Sequence, residues 1–242
     1  MSGYNVFSYF YDDLTFNVDY EKRVEYILRC FARLDHEFGL GLDLACGTGT
    51  ITRILDKMGK NIFGLDGSTD MLSIAYNKAL ENGQNILYVN QNMQDFTLPY
   101  NVDTVVCTLD AINHMTEISD VKKTFQNVYK FLNDGGVFLF DVNTIYKHDK
   151  VLCNNTFYYD VDSVSLVWKN KLRENHIVDI DLQFTYNDNE TANESFSERA
   201  YDIDLLKDIL KDIGFKIEKV YTDMTFLDLD DEAEKATIIV RK

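Results

Sequence analysis

An apolar segment that leads directly into a glycine turn constrains the fold of this chain most. Leu40 to Ala45 is largely apolar, Gly47 and Gly49 follow it, and Thr50 to Met58 has helical spacing. This pattern predicts a buried strand, a tight loop and a helix N-terminus, the first unit of an open α/β sheet. Ligands bind such sheets beyond the carboxyl ends of the strands. Because the two glycines carry no Cβ atom, this loop can approach a ligand closely.

Two acidic residues near this loop indicate the kind of ligand. Asp43 precedes the first glycine, and Asp66 ends the next apolar segment, at the position where an acid accepts hydrogen bonds from both ribose hydroxyls. A carboxylate at Asp43 would repel a diphosphate but suits an ammonium group. Thr52 also stands where a dinucleotide fingerprint has glycine or alanine. The two acids therefore favour S-adenosylmethionine (SAM) over NAD; the alternative is a purely structural turn, with Asp43 as a buried cap and Asp66 as an N-cap.

Three segments of the sequence resemble the class I SAM-dependent methyltransferases. Residues 43–49 read Asp-Leu-Ala-Cys-Gly-Thr-Gly, and residues 64–72 read Gly-Leu-Asp-Gly-Ser-Thr-Asp-Met-Leu. Residues 7–14 are similar to the opening of a bacterial branch of that family that acts on small molecules, in which the N-terminal segment folds over the SAM pocket. The resemblance implies cofactor contacts from the following residues: Tyr9, Asp43, Ala45, Cys46, Gly47, Gly49, Asp66, Gly67, Met71, Asn92, Met93 and Asp110.

The segment after the third predicted strand departs from the family's pattern at Asn92. The family commonly has an acid there, which contacts the adenine amine. The amide oxygen of Asn92 can also accept from that amine, and the main-chain N–H of Met93 can serve adenine N1. Met71 is expected to pack against adenine.

In the methyltransferases that the chain resembles, the segment after the fourth strand faces the sulfonium of SAM. In this sequence that segment is residues 109–114. Asp110 or Asn113 could orient a substrate there, and His114 could accept a proton. Asn113 is equally explained as a turn residue, and His114 as an exposed loop histidine. Arg199 is a candidate anchor for an acidic group of the substrate, or a surface arginine. Methyl transfer depends mainly on positioning, so a base is needed only if the acceptor arrives protonated.

The order of predicted elements gives the fold class. Strands and helices alternate up to residue 142, which predicts a doubly wound, seven-stranded Rossmann-like sheet. Ser119 is expected to cap one of these helices, and residues 133–136 to form a turn. Four segments with period-two character then follow without a helix, which predicts an antiparallel β insertion. We interpret this insertion as a substrate-selecting lid; a structural hairpin pair distant from the site is the alternative.

The chain accordingly divides into four parts. They are an N-terminal helical cap (1–38), a SAM-binding Rossmann-like core (39–150), an antiparallel β lid insertion (151–201) and the C-terminal part of the core (202–242).

The composition excludes several function classes. With 40 acidic and 24 basic residues, the net charge of −16 argues against binding to a nucleic-acid backbone or an anionic membrane. The only proline is Pro99, so the Asn/Asp-Pro-Pro-aromatic motif of nucleobase amine methyltransferases is missing. None of the four cysteines forms C-x-x-C or a cluster with zinc-ligand spacing. Free thiols and an N-terminus unlike a signal peptide predict a cytoplasmic location.

These observations predict a SAM-dependent methyltransferase that transfers a methyl group to nitrogen or oxygen of a small molecule. A SAM-binding protein without catalysis is the first alternative. An NAD-type oxidoreductase is the second, and Asp43 and Thr52 oppose it. No metal is expected, and the oligomeric state is left open.

Overall fold

The computed structural model of the chain describes residues 18–161, 164–186 and 190–242. Helices and strands alternate over its first half, and strands follow one another in the middle. Tyr9 and the segment 7–14, for which cofactor contacts were predicted, lie outside the described residues. The helices are α1 (Tyr20–Arg33), α2 (Thr50–Lys57), α3 (Thr69–Glu81), α4 (Ile118–Phe131) and α5 (Ile203–Ile213). The strands are β1 (Leu40–Leu44), β2 (Asn61–Asp66), β3 (Tyr88–Asn90), β4 (Val102–Cys107), β5 (Leu132–Asn143), β6 (Thr156–Val161), β7 (Val164–Leu172), β8 (Ile177–Tyr186), β9 (Thr191–Arg199), β10 (Lys216–Thr222) and β11 (Lys235–Arg241).

The central sheet has seven strands in the order β10-β11-β5-β4-β1-β2-β3. Strands β1 to β5 pair in parallel, whereas β11 pairs antiparallel with both β5 and β10. The carboxyl ends of the parallel strands therefore lie at one edge, where the loops after β1 to β4 meet. The predicted Rossmann-like methyltransferase sheet is confirmed.

Apolar residues cover both faces of this sheet. On one face α1 and α2 pack through residues at helical spacing, among them Val24, Ile27 and Leu55. On the other face α4 and α5 contribute Phe125 and Leu210 to a larger cluster. Burial on both faces explains why the central strands are continuous apolar runs rather than alternating ones.

Two local predictions on the α4–β5 unit are wrong. Helix α4 begins at Ile118 after Glu117, so Ser119 lies in its first turn and does not cap it. Residues 133–136 are not a separate turn, because β5 already begins at Leu132. They form a bulge in that strand, with Gly135 at φ 81° and a register shift against β4.

The predicted insertion between β5 and α5 is a second, antiparallel sheet. It has four strands in the order β6-β7-β8-β9, and we call it the insertion sheet. A π-helix, Lys147–Leu152, connects it to β5. None of the helices in the described part of the chain combines the length and the apolar character needed to cross a membrane.

Candidate active site

A cavity of about 300 Å³ lies at the carboxyl ends of the first four strands, and we call it the cofactor cavity. Residues from the loops after β1, β2, β3 and β4 form its wall. The predicted site residues in this wall are Asp43, Ala45, Cys46, Gly47, Asp66, Gly67, Met71, Asn92, Met93 and His114. Sequence reasoning missed further wall residues, among them Tyr20, Thr48, Gln91, Thr108 and Leu109. Their loops were identified, but which side chains turn inward depends on the backbone of each loop.

The two glycines of the first loop have different roles. Both have positive φ, 55° at Gly47 and 71° at Gly49. A Cβ atom on Gly47 would meet no atom within 4 Å, whereas one on Gly49 would lie 2.6 Å from the hydroxyl oxygen of Tyr88. Gly49 is also absent from the cavity wall. Gly47 therefore leaves space for a ligand, while Gly49 allows α2 to begin close to β3.

Asp43 is a buried carboxyl group without a cationic partner among its described hydrogen bonds. It is 2% exposed, and its Oδ2 accepts a hydrogen bond from the hydroxyl of Thr52 at 2.5 Å. Burial raises the pKa of Asp43 to about 7, because the charged form loses its hydration. Thr52, noted in the sequence only as a departure from the dinucleotide pattern, thus holds the carboxyl group at the cavity.

Asp66 is held by two main-chain N–H groups. Gly47 donates to its Oδ2 and Ser68 to its Oδ1, each at 2.8 Å. Burial raises the pKa of Asp66 although these hydrogen bonds oppose the shift. Ser68, not Asp66, caps α3, since its hydroxyl oxygen accepts from the N–H of Met71. Each oxygen of Asp66 retains an acceptor position for a ligand hydroxyl.

Asn92 lies across Gly67 at the side of the cavity next to Asp66. A Cβ atom on Gly67 would lie 2.7 Å from Oδ1 of Asn92. The absence of that atom therefore allows the Asn92 side chain to lie beside the end of β2. The site thus brings one amide and two carboxyl groups to the same cavity, as the motifs predicted.

The loop that carries His114 has a constrained backbone. Leu109 and Asp110 have φ values of 60° and 56°, in the left-handed region that residues with side chains rarely adopt. The carboxylate of Asp141 accepts from their N–H groups at 2.9 and 2.6 Å and so stabilises this turn. A short 3₁₀-helix, Ala111–His114, follows and places the imidazole at the cavity.

The structure places three other predicted site residues outside the cavity wall. Asp110 forms an ion pair with Lys235 at 2.5 Å. Asn113 is fully buried, and its amide nitrogen donates to the main-chain oxygens of Asn143 and Arg199. Arg199 donates to the main-chain oxygen of Thr116, and its guanidinium lies over the ring of Tyr201.

Buried ion pairs lie behind the His114 loop. Arg23 on α1 binds Asp141 at 3.0 Å and Asp223 at 2.9 Å. Burial alone would raise the pKa of Asp110, but its ion pair with Lys235 outweighs that effect and lowers it. The signal that could have indicated these pairs is Asp141, a charged residue within an otherwise apolar strand, because a fully buried carboxylate requires a partner.

The cavity offers neither a metal site nor an activated thiol. Among the described residues, no group of three or more His, Cys, Asp or Glu side chains could hold a metal ion. Burial raises the pKa of the Cys46 thiol well above its ordinary value, so the nucleophilic thiolate is disfavoured.

Comparisons with known proteins identify relatives of this architecture. Residues 42–136 match a family model described as a methyltransferase domain. The chain is 30% identical over 237 residues to the putative methyltransferase YqeM of Bacillus subtilis, covering 96% of this chain and 94% of that protein. A crystal structure of a S-adenosylmethionine-dependent methyltransferase from Clostridium acetobutylicum is 32% identical, with a TM-score of 0.90 and 98% of each chain covered. The sugar N-methyltransferase KedS8 from Streptoalloteichus sp. shares the fold at 17% identity, with a TM-score of 0.78 over 95% of this chain and 92% of that chain.

Proposed function

The chain belongs to the class I SAM-dependent methyltransferases, and from that premise we propose that it methylates nitrogen or oxygen of a small-molecule acceptor. The observation that carries the proposal is a pair of carboxyl groups at one cavity, the buried Asp43 and the partly exposed Asp66. Bound SAM supplies a methyl group activated by a sulfonium. The residues of the chain bind and orient the reactants and exclude water.

The cavity wall fits the groups of SAM one by one. Asp43, which binds no cation among the described residues, would pair with the ammonium group of the methionine part. Asp66 would accept from the ribose hydroxyls through the acceptor positions that its N–H partners leave. The space beside Gly47 would take the chain of the methionine part, since a Cβ there would meet nothing. Asn92 and Met93 would contact adenine.

His114 is our candidate for the group that accepts a proton from the acceptor. It lies in the cavity wall, at the end of the short 3₁₀-helix that follows β4. An imidazole can accept a proton near neutral pH. KedS8, described as a sugar N-methyltransferase, supports a nitrogen acceptor on a small molecule through the shared fold. The net charge of −16 supports an acceptor other than a nucleic acid.

The insertion sheet is proposed to cover the acceptor side of the cavity. Its support is the contact between β9 and the segment that carries His114, where the Asn113 amide donates to Arg199 at 2.9 Å. A cytoplasmic location is also part of the proposal, because the described cysteines, Cys30, Cys46, Cys107 and Cys153, are all free thiols.

Calorimetric titration with SAM, S-adenosylhomocysteine and NAD tests the cofactor assignment. We expect the first two to bind and NAD not to bind. Binding of NAD alone would replace the proposal with an oxidoreductase. A screen with methyl-labelled SAM against small amines, amino sugars and hydroxylated compounds then tests catalysis. SAM binding without transfer to any acceptor of these classes would favour the non-catalytic alternative.

A further inference from the structure

A carboxyl group of the insertion sheet lies between two imidazoles at the junction with the core. Oε1 of Glu198, on β9, lies 3.6 Å from Nε2 of His114, and its Oε2 lies 3.8 Å from Nε2 of His148. Glu198 is 5% exposed, and His148 is fully buried. His114 lines the cofactor cavity, so this cluster joins the cavity to the insertion sheet.

The tautomer of His148 follows from the partner of its other ring nitrogen. Nδ1 lies 2.9 Å from the main-chain oxygen of His176. A carbonyl oxygen only accepts, so Nδ1 carries the proton, and the neutral ring presents the lone pair of Nε2 to Glu198. That Nε2 has no hydrogen-bond partner among the described residues. The carboxyl group of Glu198 and this lone pair face each other at 3.8 Å, beyond hydrogen-bond distance, so the two groups are less costly to bury when Glu198 itself carries a proton.

The two lysines of the junction, Lys147 and Lys235, bind acceptors other than Glu198. The amide nitrogen of Asn143 donates to Glu198 at 3.3 Å and to Asp110 at 2.9 Å, and its oxygen accepts from Lys147 at 3.0 Å. Lys235 pairs with Asp110 at 2.5 Å. The two imidazoles are therefore the basic groups recorded at ion-pair distance from Glu198 within the described part of the chain.

We propose that Glu198 is a positioning residue, which orients His114 at the cofactor cavity and carries a proton on the side that faces His148. Only its catalytic consequence rests on the proposed function. In that reaction the acceptor atom bonds to the methyl carbon, and the methyl–sulfur bond breaks with its electron pair left on sulfur. The acceptor's proton passes to His114, and Glu198 faces the imidazolium that forms. Burial raises the pKa of Glu198 although His114 opposes the shift, which agrees with a carboxyl group that can hold a proton.

Nitrogen NMR of ¹⁵N-histidine-labelled protein tests the arrangement of Glu198 and the two imidazoles in the absence of a methyl acceptor. The chain has four histidines, so single substitutions assign every ring. In the unaltered protein we expect His148 to carry its proton on Nδ1 and to keep Nε2 unprotonated. A His148 ring protonated only on Nε2 would overturn the arrangement in which the Nε2 lone pair faces Glu198.

The substitution Glu198→Gln keeps the shape of the side chain and removes its charge. We expect the ring ¹⁵N signals of His114 and His148 to move, while those of His36, which bonds Thr104, stay in place. Asp181→Asn on the neighbouring strand β8 is the control, since the Asp181 side chain is exposed and accepts from the Ser195 hydroxyl, so the four rings should stay unchanged. Unchanged His114 signals in the Glu198→Gln protein would overturn the positioning role.

Calorimetry and kinetics separate this proposal from the proposed function. SAM affinity should change less than about twofold in Glu198→Gln, because Glu198 is not in the cavity wall. With an acceptor in hand, kcat should fall at least about tenfold while the KM for SAM stays constant. A kcat equal to that of the unaltered protein would overturn the role. If the protein transfers no methyl group to any acceptor, the proposed function is wrong, but the NMR result on Glu198 is unaffected.

Discussion

The carboxyl groups of the cofactor cavity differ from those behind it in which groups bind them. Asp43 and Asp66 are held by a hydroxyl and by main-chain N–H groups, and burial raises the pKa of both. Asp141 and Asp110 are held by ion pairs with Arg23 and Lys235. Each set has one fully buried member, Asp43 or Asp141, yet within the described residues only the second set is paired with cations.

This difference indicates which carboxyl groups bind a ligand and which hold the fold together. A buried carboxylate that is paired within the chain has its charge compensated before any ligand arrives. A carboxyl group held only by neutral donors gains from a cation or hydroxyl that comes from outside. On this argument we propose that the first set binds the cofactor, whereas the second set fixes the loop that carries His114.

Removal of the guanidinium at Arg23 should have the largest effect. Arg23→Met leaves Asp141 and Asp223 buried without their common partner, which is expected to lower the free energy of unfolding by about 3–5 kcal/mol. Chemical denaturation measures it. Lys22→Met is the matched control on the neighbouring residue, whose ion pair with Asp19 is solvent-exposed and should not affect stability. Equal free energies of unfolding for the two variants would show that the ion pairs of Arg23 do not stabilise the fold.

Removal of the carboxyl group of Asp66 should affect binding rather than folding. Asp66→Ala removes the acceptors for the ribose hydroxyls and is expected to weaken SAM binding by about 1–3 kcal/mol. Calorimetry measures the dissociation constant. Asp70→Ala is the control, because Asp70 lies in the first turn of α3 outside the cavity wall. An unchanged affinity of Asp66→Ala for SAM would refute the ribose assignment.

The pH dependence of SAM binding should report on Asp43. Its pKa is raised to about 7 in the free protein, and a bound ammonium group favours the charged form. Binding below pH 7 therefore releases a proton, and affinity should fall as the pH falls, by up to about tenfold per pH unit. Calorimetric titrations with SAM between about pH 5.5 and 7.5, in buffers of different ionisation enthalpy, measure how many protons are released on binding.

Asp43→Asn provides the control for this pH dependence. The substitution should weaken SAM binding and abolish the proton release. It should also raise the stability of the free protein most above pH 7, where the native carboxyl group is buried in its charged form. That gain should shrink toward pH 5, because Asp43 is then protonated. A SAM affinity that does not vary with pH would contradict the ammonium assignment.

The cofactor side was predictable because its contacts are local in sequence. Asp43 and Thr52 are nine residues apart, and Asp66 binds Ser68 two residues later. The strand, loop and helix that set this spacing are visible as hydrophobic periodicity. The sheet order followed from the same alternation.

The region behind the cavity was not predictable, because its partners are far apart in the chain. Arg23 and Asp141 are separated by 118 positions, and Lys235 and Asp110 by 125. No local pattern specifies such pairs, since they depend on the packing of α1 and β11 against β5. For the same reason, the sequence predicted Asp110, Asn113 and Arg199 as site residues from their positions in the chain and did not indicate their distant partners.

The smallest expected effect distinguishes the two glycines within the cofactor loop. Ala at either position adopts positive φ at a cost of about 1 kcal/mol in stability. Gly49→Ala should cost roughly another 1 kcal/mol or more, because its Cβ would lie 2.6 Å from the Tyr88 hydroxyl oxygen. Gly47→Ala should instead weaken SAM binding, since its Cβ enters the space assigned to the cofactor. Equal losses of stability, with SAM affinity retained in both variants, would mean that Gly47 serves the turn alone and that the cofactor lies elsewhere in the cavity.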